Sequence, residues 1–183
     1  MEKYLEITVV AVLVILVGVC AYTDIKCRKI YNAATLPAVF CGLALNYLAG
    51  GINEGRTMNL YISLLGIVGG MGIFILPYLA GWFHGGDVKL MAAVGALVGW
   101  PYIMSVTFFI VLVGAAMAVI VMLWHNKFWS SLKSIPGKML RIKAPEQTSA
   151  VAEEPPLTIP YGLAICFGTV WALIMPMVVP LVK

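Results

Sequence analysis

The chain has 183 residues, 62% hydrophobic and 11% charged, with a net charge of +4 and a mean hydropathy of +0.98. Soluble domains carry about 25% charged residues, so this composition excludes a water-soluble globular protein and indicates an integral membrane one. Basic residues in such a chain report orientation, and no basic helix or interleaving of aromatic with basic residues suggests a nucleic-acid surface.

Leu5 to Tyr22 is an apolar run of 18 residues. At 1.5 Å per residue it reaches ~27 Å, close to the thickness of a bilayer's hydrocarbon core. Glu2 and Glu6 flank Lys3, and no small-x-small cleavage site follows, so the run reads as a retained span and not as a signal peptide. Asp24 to Asn32 is a basic loop holding Lys26, Arg28 and Lys29. Ala33 to Ala49 returns across the membrane, with Pro37 in its first turns, where a missing N–H is least costly, and Asn32 placed to cap it. Gly50 to Thr57 is an outer turn. Leu60 to Trp82 forms the third span, and the spacing of Gly66 and Gly70 allows close approach of another helix, either within the bundle or from a substrate packing laterally.

Val88 to Trp124 is too long to be one span, since 37 residues would make a helix of about 55 Å. Gly99-Trp100-Pro101 is the strong break. It leaves a short fourth span, Val88 to Trp100, and a full-length fifth, Pro101 to Trp124. His125 to Thr158 is a basic and then flexible loop, its Phe128 to Leu140 part patterned like a helix lying on the membrane surface. Pro160 to Val182 is the sixth span. The expected fold is thus all-α, a polytopic bundle of six transmembrane helices with a short fourth, forming a single domain over residues 1–183 with the 125–158 loop inside it.

If odd spans run inward, nine basic residues lie inside (Lys26, Arg28, Lys29, Lys89, Lys127, Lys133, Lys138, Arg141, Lys143) and three outside. That bias puts the amino terminus outside and the Asp24 and Asp87 ends of the spans at the cytoplasmic face. The other six acidic residues fall in outer segments or in the flexible loop. Only Asp24 and Asp87 stand at the seams of spans, where an ionised acid costs ~2.5–3.5 kcal/mol on insertion scales and therefore suggests function.

Two adjacent carboxylates titrate apart, so one can activate water while the other protonates a substrate carbonyl. Such a pair hydrolyses peptides without a metal or a covalent nucleophile, and the chain contains no HExxH or Ser-His-acid pattern. No cofactor is expected. The cysteines (Cys20, Cys27, Cys41, Cys166) include no pair two residues apart, so they read as small buried apolar residues and no metal site is expected. Helix dipoles favour Asp87, at the start of a helix, as the water-activating carboxylate, and Asp24, at the end of one, as its protonated partner. Gly85 and Gly86 would let the backbone approach an extended peptide, with Lys26 and Lys89 beside the aspartates as supporting groups.

The segments Asp24-Ile25-Lys26-Cys27-Arg28-Lys29-Ile30-Tyr31-Asn32 and His84-Gly85-Gly86-Asp87-Val88-Lys89-Leu90 resemble the two aspartate motifs of type IV prepilin peptidases. The likeness is to the short form that processes Flp-type pilins in tight-adherence systems. His84 stands where that family's second motif has its first glycine. Ile159-Pro160-Tyr161-Gly162-Leu163-Ala164 resembles the start of the family's last span. The resemblance implies a polytopic aspartic endopeptidase of the cell (inner) membrane. It would remove the leader of prepilin or pseudopilin substrates at the cytoplasmic face, with Asp24 and Asp87 catalytic. The cysteine-paired segment of longer, methylating relatives is missing, so peptidase activity alone is expected. Two other readings stand beside it. One is a small transporter or channel component using buried carboxylates, which would need acids along a path through the bilayer. The other is an intramembrane protease of the presenilin and signal-peptide-peptidase type, whose Pro-Ala-Leu motif is lacking here.

Overall fold

The structure, a computed structural model, describes residues 2–50, 59–81, 83–124 and 161–175. Six helices make it up: α1 Glu2–Cys27, α2 Asn32–Gly50, α3 Leu60–Leu79, α4 Gly85–Val98, α5 Tyr102–Trp124 and α6 Tyr161–Ile174. The described residues contain no strand. Four helices, α1, α2, α3 and α5, are long and apolar enough to cross a membrane, while α4 and α6 have 14 residues each. The expected all-α membrane bundle with a short fourth helix is therefore what the chain forms. The outer turn, Trp82, the loop with its surface helix Phe128 to Leu140, and residues 176–182 of the sixth span lie outside the described residues.

Contacts divide the chain into two units. The first comprises Met1–Gly114 and Pro160–Lys183, and the second Ala115–Ile159, of which residues 115–124 of α5 are described. In the first unit α4 is the central element. It packs on α1, α2 and α3, and 11 of its 14 residues are buried. Lipid is as apolar as a leucine side chain, so water exclusion alone does not hold such a helix in place; close packing and interhelical hydrogen bonds do. Both are present. Gly42 of α2 and Gly66 and Gly70 of α3 lie so close to α4 that a Cβ on Gly42 would come within 2.8 Å of the Ala96 carbonyl carbon. The same atom on Gly66 or Gly70 would meet the carbonyl oxygen of Gly95 or Met91. From either side, Asn46 Nδ2 (3.0 Å) and Ser63 Oγ (2.6 Å) donate to the Ala96 carbonyl.

That packing corrects the idea of a substrate helix lying against Gly66 and Gly70, because this face of α3 is already occupied by α4. Two boundaries also move. α1 continues past Tyr22 to Cys27, so Asp24 lies inside the helix one turn from its end, and the connection to α2 shrinks to residues 28–31. α4 begins at Gly85, before the expected Val88, because His84 (φ −90°, ψ 152°) is the extended residue that opens it. Asn59 caps α3, its side-chain oxygen accepting the Ile62 N–H at 2.8 Å. Gly99, at φ 75° and ψ 175°, ends α4 in a positive-φ conformation that glycine adopts without steric cost. Of the cysteines only Cys20 is fully buried; Cys27 and Cys41 are exposed at the helix surface.

Candidate active site

Asp24 reaches the site from the last turn of α1. Arg28, at φ 50°, stops that helix, with its N–H on the Asp24 carbonyl at 2.8 Å, and turns the chain sharply into α2. Asp87 comes from the first turn of α4 and accepts the His84 N–H on Oδ2 at 3.0 Å, a bond that also closes the start of the helix. The two acids, 63 positions apart in sequence, are both buried, at 9% and 4% exposure.

The parts of the two motifs around the acids interlock. Gly86 faces Ile30 so closely that a Cβ there would lie 3.0 Å from Ile30 Cβ. Lys89 Nζ donates to Asn32 Oδ1 at 3.0 Å. Asn32 is thus the first residue of α2 and bridges to α4, in place of the capping role expected for it. These two contacts tie the loop after Asp24 to the turn bearing Asp87. They also give Gly86 and Lys89 a packing reason within the fold. Gly85 lies in ordinary contact with the Tyr78 ring, at 3.6 Å for an added Cβ. Lys26 is exposed, its Nζ 5.7 Å from the centre of the Tyr22 ring one turn earlier on α1.

A third element enters that the motifs did not announce. The first turn of α6 meets Asp24, and the Gly162 N–H donates to Asp24 Oδ2 at 2.7 Å. Next to it, the Tyr161 ring packs on Phe83 (centroids 4.3 Å apart) and Phe74 (6.0 Å), which themselves stack at 5.2 Å. Phe83 leads directly into the turn that opens α4. Each carboxylate therefore accepts a main-chain N–H at a helix amino terminus, α6 for Asp24 and α4 for Asp87. The dipole argument that separated their roles considered only the carboxyl end of α1 beside Asp24; with α6 present it no longer distinguishes them.

The model of the type IV leader peptidase family matches residues 11–119. The chain belongs to that family. No curated protein and no solved structure matches this peptidase. The matched residues include both aspartates and the interlock between their motifs, but end before α6. Tyr161 and Gly162 thus join the site from outside the matched segment. Their sequence did offer a signal, since they lie in Ile159 to Ala164, the segment that resembles the start of the last span of type IV prepilin peptidases. Nothing in the run's periodicity linked that pair to Asp24. Among the described residues of the peptidase, no three His, Cys, Asp or Glu side chains gather closely enough to hold a metal ion.

Proposed function

We propose that this peptidase is a membrane-embedded aspartic endopeptidase that cleaves the leader of type IV prepilin-like, Flp-type proteins at the cytoplasmic face of the cell membrane, with Asp24 and Asp87 as its catalytic pair. The reading is supported by two buried carboxylates on α1 and α4 whose flanking segments interlock through Gly86 with Ile30 and Lys89 with Asn32, in a chain of the leader peptidase family. In the reaction, the ionised member of the pair takes a proton from water as the oxygen attacks the scissile carbonyl carbon. The protonated member gives its proton to the carbonyl oxygen. Collapse of the tetrahedral intermediate breaks the C–N bond as the proton held by the first carboxylate passes to the departing amine. A hydroxyl proton of the intermediate returns to the second carboxylate, leaving the pair again with one proton. The basic bias of the segments assigned to the inside supports a cytoplasmic site.

The test is co-expression of a Flp-type prepilin with wild type, Asp24→Asn and Asp87→Asn, reading loss of the leader by mass. Wild type should process the prepilin, each variant should accumulate it uncut while still folding in the membrane, and chelators should leave wild-type cleavage unchanged. Processing at the wild-type rate by either variant would remove the aspartic mechanism. A wild type that cuts no prepilin would remove the substrate assignment.

A further inference from the structure

We infer that the first turn of α6 is a clamp that sets the spacing of the two aspartates, with Gly162 as the positioning residue of Asp24 and Tyr161 as its tie to the Asp87 side. The catalytic meaning of this clamp rests on the proposed aspartic mechanism; its geometry does not. Three observations converge on two consecutive residues. The Gly162 N–H donates to Asp24 Oδ2 at 2.7 Å in a buried environment. Gly162 must also lack a side chain, since a Cβ there would lie 2.8 Å from Asp24 Oδ2 and 2.9 Å from Asp24 Cβ. Contacts that short do not occur between real side chains, so any larger residue would push the carboxylate or the helix aside. Tyr161 supplies the other arm, its ring against Phe83 and Phe74 and its hydroxyl end against Gly114 of α5, where an added Cβ would come 3.1 Å from Oη.

One two-residue turn therefore holds the acid on α1 by a main-chain hydrogen bond and holds the entry to α4 by aromatic packing. Such an arrangement fits a reaction in which both carboxylates must address the same water molecule. A pair of acids on separate helices is free to drift as those helices rock, and a displacement of about 1 Å at a reacting group can cost roughly 100-fold in rate. Fixing Asp24, and the residue that leads into the Asp87 helix, to a third helix restricts that freedom. It also explains why an oxygen of Asp24 is held by a backbone donor, whose position does not depend on a rotamer.

The coupling between Gly162 and Asp24 can be measured without reference to the substrate, by a double-mutant cycle on the full chain in detergent. Thermal unfolding is recorded for wild type, Gly162→Ala, Asp24→Gly and the double variant. If the clamp is real, Gly162→Ala lowers the unfolding temperature in wild type and does so much less when the Asp24 side chain, Cβ included, is absent. Equal shifts in both backgrounds would make Gly162 an ordinary packing glycine and overturn the inference. Prepilin cleavage, normalised to folded protein, should fall roughly 100-fold in Gly162→Ala. Replacing the Tyr161–Gly162 amide by an ester removes the N–H and adds no atom, and should lower cleavage by about tenfold. Wild-type cleavage by the ester variant would overturn the positioning role. Should Gly162→Ala fail to fold, recovery of folding in the double variant supports the same coupling and its absence refutes it. An inactive wild type with a positive cycle would instead leave the clamp standing and count against the proposed function.

Discussion

Gly66→Ala tests whether α4 is held by backbone contact with α3. A Cβ on Gly66 would fall on the Gly95 carbonyl oxygen and 2.8 Å from Gly99 Cα. In return, one on Gly95 would fall on Gly66 and lie 3.1 Å from the Ile67 nitrogen. Carbon atoms at rest stand about 3.5 Å or more apart, so the shortfall to Gly99 Cα alone is about 0.7 Å. Both partners are main chain, so no rotamer change relieves the clash and the helices must separate. Overpacking of this kind costs about 1–3 kcal/mol. The nearby Ser63–Ala96 hydrogen bond, stretched by the same movement, adds about 0.6 kcal/mol. The total of about 1.6–3.6 kcal/mol corresponds to a fall of about 3–14 °C in the unfolding temperature of a chain this size. The assay is thermal unfolding of purified protein in detergent, with Gly72→Ala as the control. Gly72 lies six residues further along the same helix with nothing within 4 Å of an added Cβ, so that substitution should change stability by less than ~1 kcal/mol. If Gly66→Ala and Gly72→Ala unfold within about 2 °C of each other, the close α3–α4 packing is refuted. Cleavage should fall with stability in Gly66→Ala, because α4 carries Asp87.

Two further outcomes follow from the same geometry. Asn46→Ala removes a buried side chain that donates to the carbonyls of Gly42 and Ala96, and should cost about 0.6–1.7 kcal/mol in detergent unfolding while leaving the KM for prepilin unchanged. Tyr161→Ala strips the ring from Phe74 and Phe83, contacts worth ~0.5–1.5 kcal/mol each beyond area, and should lower cleavage per folded molecule more than Asn46→Ala does at equal loss of stability. Equal activity losses in the two variants would mean that Tyr161 acts on the bundle as a whole and not on the site.

The sequence by itself determined that this is a membrane bundle, because hydrocarbon tolerates only long apolar helices and their lengths can be counted from the residues. It marked Asp24 and Asp87 for the same reason, as acids at the seams of apolar runs, and the Gly99-Trp100-Pro101 break that makes α4 short. Helix ends were less legible. The extended backbone of His84 and the left-handed Arg28 are local conformations that no periodicity records. Only the tertiary structure decided which surfaces meet. It turned Gly66 and Gly70 inward onto α4, paired Asn32 with Lys89, and brought the first turn of α6 onto Asp24 across 138 positions of chain. The physical reason is that a main-chain donor and a missing Cβ leave no distinctive mark in a hydropathy pattern. A glycine in an apolar run looks the same whether it lies exposed, as Gly72 does, or faces the carboxylate of Asp24, as Gly162 does.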